Sequence, residues 1–405
     1  MATGNKPFPK MHPVAGFALG TTSAGIKTPG RKDLVLMQIQ PQASVAALFT
    51  QNAFCAAPVV VCRQHLSTDV PRYLFVNTGN ANAGTGEQGL VDAQRSCQAL
   101  AERQGVSPQQ VLPFSTGVIG EPLPIEKLLA ALPAAVDALA EEGWADAADG
   151  ILTTDTCAKG ASLQYQPIGT EPKVVTITGI SKGSGMIKPN MATMLGFVAT
   201  DAQVDSELLH RALRLVTNKS FNRITVDSDT STNDSIVLVA TGASTVVIDE
   251  SNFEEFVSQL EKVFIELAQA IIRDGEGATK FVSVVVDSAV NSEEALKVAY
   301  TVAESPLVKT ALAASDANWG RILAAVGRAG VDNLDVSKVS ISLNEVLIVE
   351  RGGRAASYSE AAGAQAMAPE EISISISLNR GNTSETVWTT DLTYEYVRIN
   401  AEYRT

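Results

Sequence analysis

The densest reactive chemistry in the sequence lies in ISKGSGMIKPNMATMLGF (180–197), where glycines, two lysines and a threonine crowd an otherwise apolar stretch. A threonine hydroxyl is a weak nucleophile because its pKa lies far above neutrality, so it needs a base beside it. Thr193 gains one if the chain is cut just before it. The freed α-amino group then sits on the same residue as the hydroxyl. Its ordinary pKa of about 7.7–8.0 suits general-base work near neutral pH. Ala192 is small and leaves Thr193 room to attack its carbonyl, an N-to-O shift that creates the new terminus. Two other readings compete. Lys182 and Lys188 beside glycines suggest a phosphate cradle, but the GxxxxGK[ST] spacing is missing and no helix follows at the expected distance. A plain glycine turn feeding a buried strand over 194–198 fits as well, and composition alone does not separate it from the nucleophile.

The surrounding pattern supplies the elements that must hold such a segment. LVLMQI (34–39) and YLFVN (73–77) are short apolar runs bounded by turn residues, which predicts buried strands. The second run opens into NTGNANAGTG (77–86), where glycine and asparagine permit positive φ. VLPFSTGVIG (111–120) repeats that plan, and residues 90–104 and 125–141 carry helical spacing. Further on, Asp205 is placed to cap a helix whose apolar face is Leu208, Leu209, Ala212, Leu215 and Val216. SIVLVATG (235–242) reads as a strand. A long amphipathic helix carries Phe253, Phe256, Val257, Leu260, Phe264, Leu267 and Ile271, and Gly275 in DGEG is its expected C-cap. FVSVVV (281–286) is a further strand. Ile372, Ile374, Ile376 and Leu378 alternate with serines, which predicts an antiparallel strand with one solvated face. The fold class is mixed α/β with a small C-terminal strand-rich lobe from about residue 285.

Bulk properties narrow the function. At 405 residues the chain exceeds one ordinary core, so two or three lobes are expected. Lys and Arg number 31 against 44 Asp and Glu, a net charge of −13 without any basic block. That argues against nucleic acid or an anionic membrane as partner. Cys55, Cys62, Cys97 and Cys157 form no CxxC pair. With only His12, His65 and His210 besides, a Cys/His metal site is not expected and buried reduced thiols are. No signal-like or bilayer-length apolar run is present, so a cytoplasmic location is the expectation.

The processing segment KGSGMIKPNMATML resembles that of the ornithine acetyltransferase (glutamate N-acetyltransferase) family, in which the Ala-Thr bond is the cleavage site. The resemblance continues through GFALGTTSAGIK (16–27), FVNTGNANAGTG (75–86), STGVIG (115–120) and ILTTDT (151–156). It extends to ITVDSDTSTNDS (224–235), RDGEGATK (273–280), ANWGRI (317–322) and the terminal INAEYRT. It implies a layered α/β large lobe. It also implies an alpha chain of residues 1–192 and a beta chain of 193–405, two of each assembling into a heterotetramer.

The resemblance also assigns roles. The reaction it implies moves acetyl from N-acetylornithine to glutamate through an acetyl-threonine at Thr193, in arginine biosynthesis. Bifunctional members share the same motifs and also take acetyl from acetyl-CoA, which is then a substrate, and no cofactor is implied. Thr116 and Gly117 match the family's oxyanion pair, although by themselves they read as an ordinary turn. Lys182 is implied to meet a substrate carboxylate and Glu276 an ammonium. Glu276 alone would be taken for a solvated helix end. Thr153 is a further substrate contact, with Thr154 and Thr156 as alternative registers, and Asn400 and Thr405 complete the set. Asp227, Asp229 and Asp234 fail the EF-hand spacing and read as a structural loop, and the implied chemistry needs no metal.

Two other functions are weighed against this one. A related self-cleaving amidase or aminopeptidase would pass the acyl group to water, and would not need the charged set Lys182, Glu276, Asn400 and Thr405 in full. A non-catalytic binding protein gives no reason for an Ala-Thr processing segment.

Overall fold

The computed structural model describes residues 3–4, 7–169, 172–188 and 194–402. Ala192, Thr193 and Thr405 lie outside the described residues. In chain order the strands are β1 (Phe17–Thr22), β2 (Leu34–Ile39), β3 (Ser44–Phe49), β4 (Tyr73–Asn80), β5 (Val111–Val118) and β6 (Lys159–Tyr165). There follow β7 (Val175–Lys182), β8 (Leu195–Thr200), β9 (Gln203–Val204), β10 (Ile224–Thr225), β11 (Ser235–Ala240) and β12 (Val247–Ile248). The last six are β13 (Phe281–Ala289), β14 (Ser340–Leu343), β15 (Val346–Glu350), β16 (Gly353–Arg354), β17 (Glu371–Ser377) and β18 (Thr383–Thr390). Two compact units result: residues 7–222 with 229–271, and residues 272–405 with 1–6 and 223–228.

The larger unit is built on a four-stranded sheet, β1-β2-β4-β5, and a five-stranded sheet, β3-β11-β8-β7-β6. The two sheets share one core. Met37, Val76 and Phe114 from the first meet Ile180, Phe197 and Val239 from the second, and the Phe114 and Phe197 rings pack edge to face at 5.2 Å. Alternate residues of β2 face opposite ways, so Leu34 and Leu36 enter a second cluster beneath the helices Gly86–Gln104 and Ile125–Asp137. That double burial explains why β2 reads as a continuous apolar run rather than an alternating one. The helix Phe253–Arg273 covers the other sheet, where a Cβ on Gly179 would lie 3.1 Å from Leu267. The expected mixed α/β class is therefore what forms. The helix expected over 125–141 ends early, at Asp137, and a separate short helix, Trp144–Gly150, follows it.

Local expectations hold with specific corrections. Asp205 caps the helix Ser206–Lys219 by accepting the Glu207 N–H. Its buried face is Leu209, Ala212, Leu213 and Val216, whereas Leu215 is exposed. Spacing of three and four from Leu209 selects Leu213, and Leu215 falls on the opposite side. Of the cysteines, Cys62 and Cys97 are buried, Cys55 and Cys157 are half-buried, and all four are free thiols.

The smaller unit carries a seven-stranded sheet in the order β10-β18-β13-β17-β14-β15-β16. The alternating isoleucines of β17 are buried while its serines are half-exposed, as expected. Its pairing is mixed, however: parallel to β13 and antiparallel to β14. One strand's period reports which face is buried and carries no information on neighbour direction. After the helix Phe253–Arg273, the residue with left-handed φ is Gly277 rather than Gly275. A Cβ on Gly277 would lie 2.5 Å from the Tyr396 nitrogen, so glycine is required there by close approach as well.

Candidate active site

The site grows from strand ends in the larger unit. At the start of β8, Leu195 pairs with Lys182 at the end of β7 on one side and with Ser235 at the start of β11 on the other. Three strands thus deliver Lys182, Met194 and Asp234 to one place, and Met194 is covalently joined to Thr193. β5 arrives there too. The Asn233 side-chain amide donates to the carbonyls of Ser115 (2.9 Å) and Ala81 (2.7 Å), tying the start of β11 to the end of β5.

Gly117 closes β5 with φ of +135°, and a Cβ there would sit 2.3 Å from the Gly79 carbonyl carbon of β4. Only glycine fits, and its absence of side chain leaves the adjoining backbone accessible. The Ser115 hydroxyl donates to Asn77 Oδ1 at 2.6 Å, and the Asn77 amide donates to the Asn80 carbonyl at 2.9 Å, so the two parallel strand ends brace one another. Asn77 of FVNTGNANAGTG is therefore scaffolding for the 115–117 bend.

Lys182 is buried, with Nζ 3.4 Å from Thr116 Oγ1 and 3.9 Å from Asp155 Oδ2. Asp155 is the hub beneath it. Its fully buried carboxylate accepts from Lys159 Nζ (2.7 Å), from the Gly183 N–H (2.6 Å) and from the Thr153 N–H (3.0 Å), with the Thr153 hydroxyl at 3.5 Å. Burial alone would raise its pKa, but Lys159 and then Lys182 outweigh burial and hold it far below the usual carboxylate range. Asp155 stays ionised and fixes both lysines. Asp234 behaves oppositely: burial pushes its carboxyl well above the usual range, against the pull of Lys182 and a hydrogen bond from the Met194 amide.

Thr116, Gly117, Thr153 and Lys182 are thus brought together within this unit. Glu276 and Asn400 meet within the smaller unit, where the Asn400 amide donates to Glu276 Oε2 at 2.8 Å. Glu276 is 7% exposed, so it is no solvated helix end. Asp155, Lys159 and Asn233 were missed by sequence reasoning. A lysine four residues after the aspartate of TTDT was the available signal for the first two, and Asn233 gave none. Asp227 accepts from the Tyr396 hydroxyl at 3.2 Å. Among the described residues no cluster of His, Cys, Asp and Glu has an arrangement that could hold a metal.

The ArgJ family pattern matches residues 18–405. The chain is similar over its whole length to the arginine biosynthesis bifunctional protein ArgJ of Pseudomonas fluorescens (strain Pf0-1), at 59% identity with 100% of both chains covered. It is 58% identical to the protein of the same name from Pseudomonas syringae pv. tomato, again with 100% of both covered. Among solved structures it is similar to the arginine biosynthesis bifunctional protein ArgJ of Bacillus halodurans. That likeness has 40% identity and a TM-score of 0.50, and covers 52% of this chain and 99% of that one. Fold and comparisons together define an acyltransferase. The chain belongs to the ArgJ family. Its place is in arginine biosynthesis. No helix among the described residues is long and apolar enough to cross a membrane.

Proposed function

We propose that this enzyme is a glutamate N-acetyltransferase that cuts itself between Ala192 and Thr193 and carries acetyl on the Thr193 hydroxyl. The observation that carries the reading is the meeting of strand ends around Met194, which sets Lys182, Thr116 and Gly117 beside the residue that follows Thr193. Thr193 Oγ attacks the acetyl carbonyl of N-acetylornithine while its α-amine takes the hydroxyl proton. The carbon–nitrogen bond then breaks, and ornithine leaves with that proton on its amine. The amine of glutamate attacks the resulting ester, the ester bond to Oγ breaks, and the hydroxyl is restored.

Thr116 and the Gly117 backbone stabilise the oxyanion of each step. Lys182, preoriented by Asp155, meets the substrate α-carboxylate. Glu276, held by Asn400, meets the ornithine ammonium, and Thr153 and Thr405 add contacts. Acetyl-CoA serves as a second donor to the same threonine. The cleaved chains assemble as two alpha and two beta subunits in the cytoplasm.

The test is a steady-state assay varying N-acetylornithine against glutamate, with acetylglutamate as the measured product. A covalent carrier gives parallel double-reciprocal lines, because ornithine leaves before glutamate enters. Intersecting lines would replace the acetyl-threonine by a ternary complex, and acetate as the sole product would make the enzyme a hydrolase.

A further inference from the structure

Asp234 stands immediately before β11 and is 4% exposed. Its carboxyl accepts from the Met194 N–H and the Ser231 hydroxyl, while Oδ2 has no hydrogen-bond partner among the described residues. A buried polar atom left unpaired opposes folding, so a structural role alone gives a poor account of this carboxyl. The next residue completes the geometry: the Ser235 N–H donates to the Met194 carbonyl at 3.0 Å. Both backbone polar groups of Met194 are therefore gripped from the start of β11. The amide in the grip of Asp234 is the one through which Met194 is joined to Thr193.

We propose that Asp234 is a positioning residue for acyl transfer, holding the Met194 amide in register with Lys182. The role rests on the reading of Thr193 as the nucleophile. Burial pushes the Asp234 carboxyl well above the usual carboxylate range. Lys182, from β7, is the charge that acts on it, with the Ser231 hydroxyl from the loop before β11. What matters is then an acceptor of the right reach. An asparagine side chain provides one, and a methyl group does not.

Asp234→Asn and Asp234→Ala in the full chain are compared with wild type for self-cleavage, thermal midpoint, and kcat and KM across neutral pH. Asp234→Asn is expected to cleave and to keep kcat within about threefold with an unchanged pH profile. Asp234→Ala is expected to lose roughly tenfold or more in kcat at unchanged KM, since the aim of the nucleophile is lost and no substrate contact is. Wild-type kcat in Asp234→Ala overturns the proposal. So does an asparagine variant as impaired as the alanine one, or one that loses a limb of the pH profile, because either shows that charge is needed. Should Asp234→Ala fail to fold, Asp234→Ser, whose hydroxyl stops short of the amide, takes its place with the same outcomes. Intact mass after mixing with N-acetylornithine separates the two levels. Wild type that never gains an acetyl group sinks the nucleophile reading, and acetylated wild type beside an unaffected Asp234→Ala sinks the positioning role alone.

Discussion

The Asn400 amide donates to Glu276 Oε2 across 124 positions of sequence, at 2.8 Å. Asn400 lies in the C-terminal helix Tyr394–Ala401 and its amide also donates to the Tyr396 carbonyl at 3.0 Å, so the helix aims one carboxylate oxygen of a buried glutamate. A carboxylate held in this way is prepared for a cation. Glu276→Ala should lower kcat/KM for N-acetylornithine about tenfold to a hundredfold, matching a charge-assisted bond of roughly 1.5–3 kcal/mol. Self-cleavage should be untouched. Asn400→Ala should cost less, about two- to tenfold, because the carboxylate remains and only its aim is loosened. Unchanged kinetics in Glu276→Ala would remove the residue from substrate recognition.

Asp155→Asn should destabilise the larger unit by about 3–5 kcal/mol, because it removes the carboxylate charge paired with the buried ammonium of Lys159. The Asp155 and Lys159 side chains are 0% and 1% exposed, so solvent screens neither. The pH dependence has a definite sign. The folded pKa of Asp155 is depressed, so its stabilisation is complete above the unfolded value of about 3.9 and fades as pH falls below it. Urea unfolding should show a constant gap between wild type and variant at neutral pH that narrows in acid. A gap under about 1 kcal/mol at neutral pH would mean that the pair merely offsets its own desolvation.

What the sequence made legible follows from how locally each feature is determined. β2 matches its expected bounds because its run is apolar apart from Gln38 and is flanked by turn residues. The Asp205 cap was legible because capping is decided within three residues. Thr116 and Lys182 were found only through resemblance to a family, and their meeting at 3.4 Å, 66 residues apart, depends on the pairing of separate strands. Lys159, four residues after Asp155, hinted at a local pair, but nothing in TTDT shows that Lys182 converges on the same carboxylate. Asp234 was read as part of a structural loop. Its loop position was right, but its burial against Met194 arises from the parallel register of β11 on β8, which no local pattern reveals.

Gly117→Ala should fail on two counts. The φ of +135° is one that an L side chain rarely adopts, and the new Cβ would lie 2.3 Å from the Gly79 carbonyl carbon and 2.6 Å from the Asn80 nitrogen. Backbone atoms cannot swing aside as a flexible side chain would, so the ends of β4 and β5 must part. The expected outcome is a lowered thermal midpoint together with a loss of kcat of at least about a hundredfold, the scale of losing one oxyanion donor. Full activity in Gly117→Ala would show that the bend tolerates separation and that its N–H does not serve the oxyanion.

The Ala192–Thr193 bond carries the most decisive prediction, since every later step assumes a free amino group on Thr193. Wild-type protein should run on a denaturing gel as two fragments, of 192 and 213 residues, without added protease, and the second must begin Thr-Met-Leu-Gly. Thr193→Ala should stay a single chain and be inactive, because the attacking hydroxyl and the new amino terminus are lost together. Thr193→Ser keeps the hydroxyl and loses the methyl that restricts χ1, so it should still cleave at an altered rate. These variants also separate cleavage from folding. The residues that brace the site, Asp155 and Asn233, hold their partners without Thr193. Thr193→Ala should therefore fold with a near-native midpoint. An active wild-type enzyme that remains one uncut chain would leave Thr193 with no α-amino base. The mechanism would then need another proton acceptor, even with the acetyltransferase assignment intact.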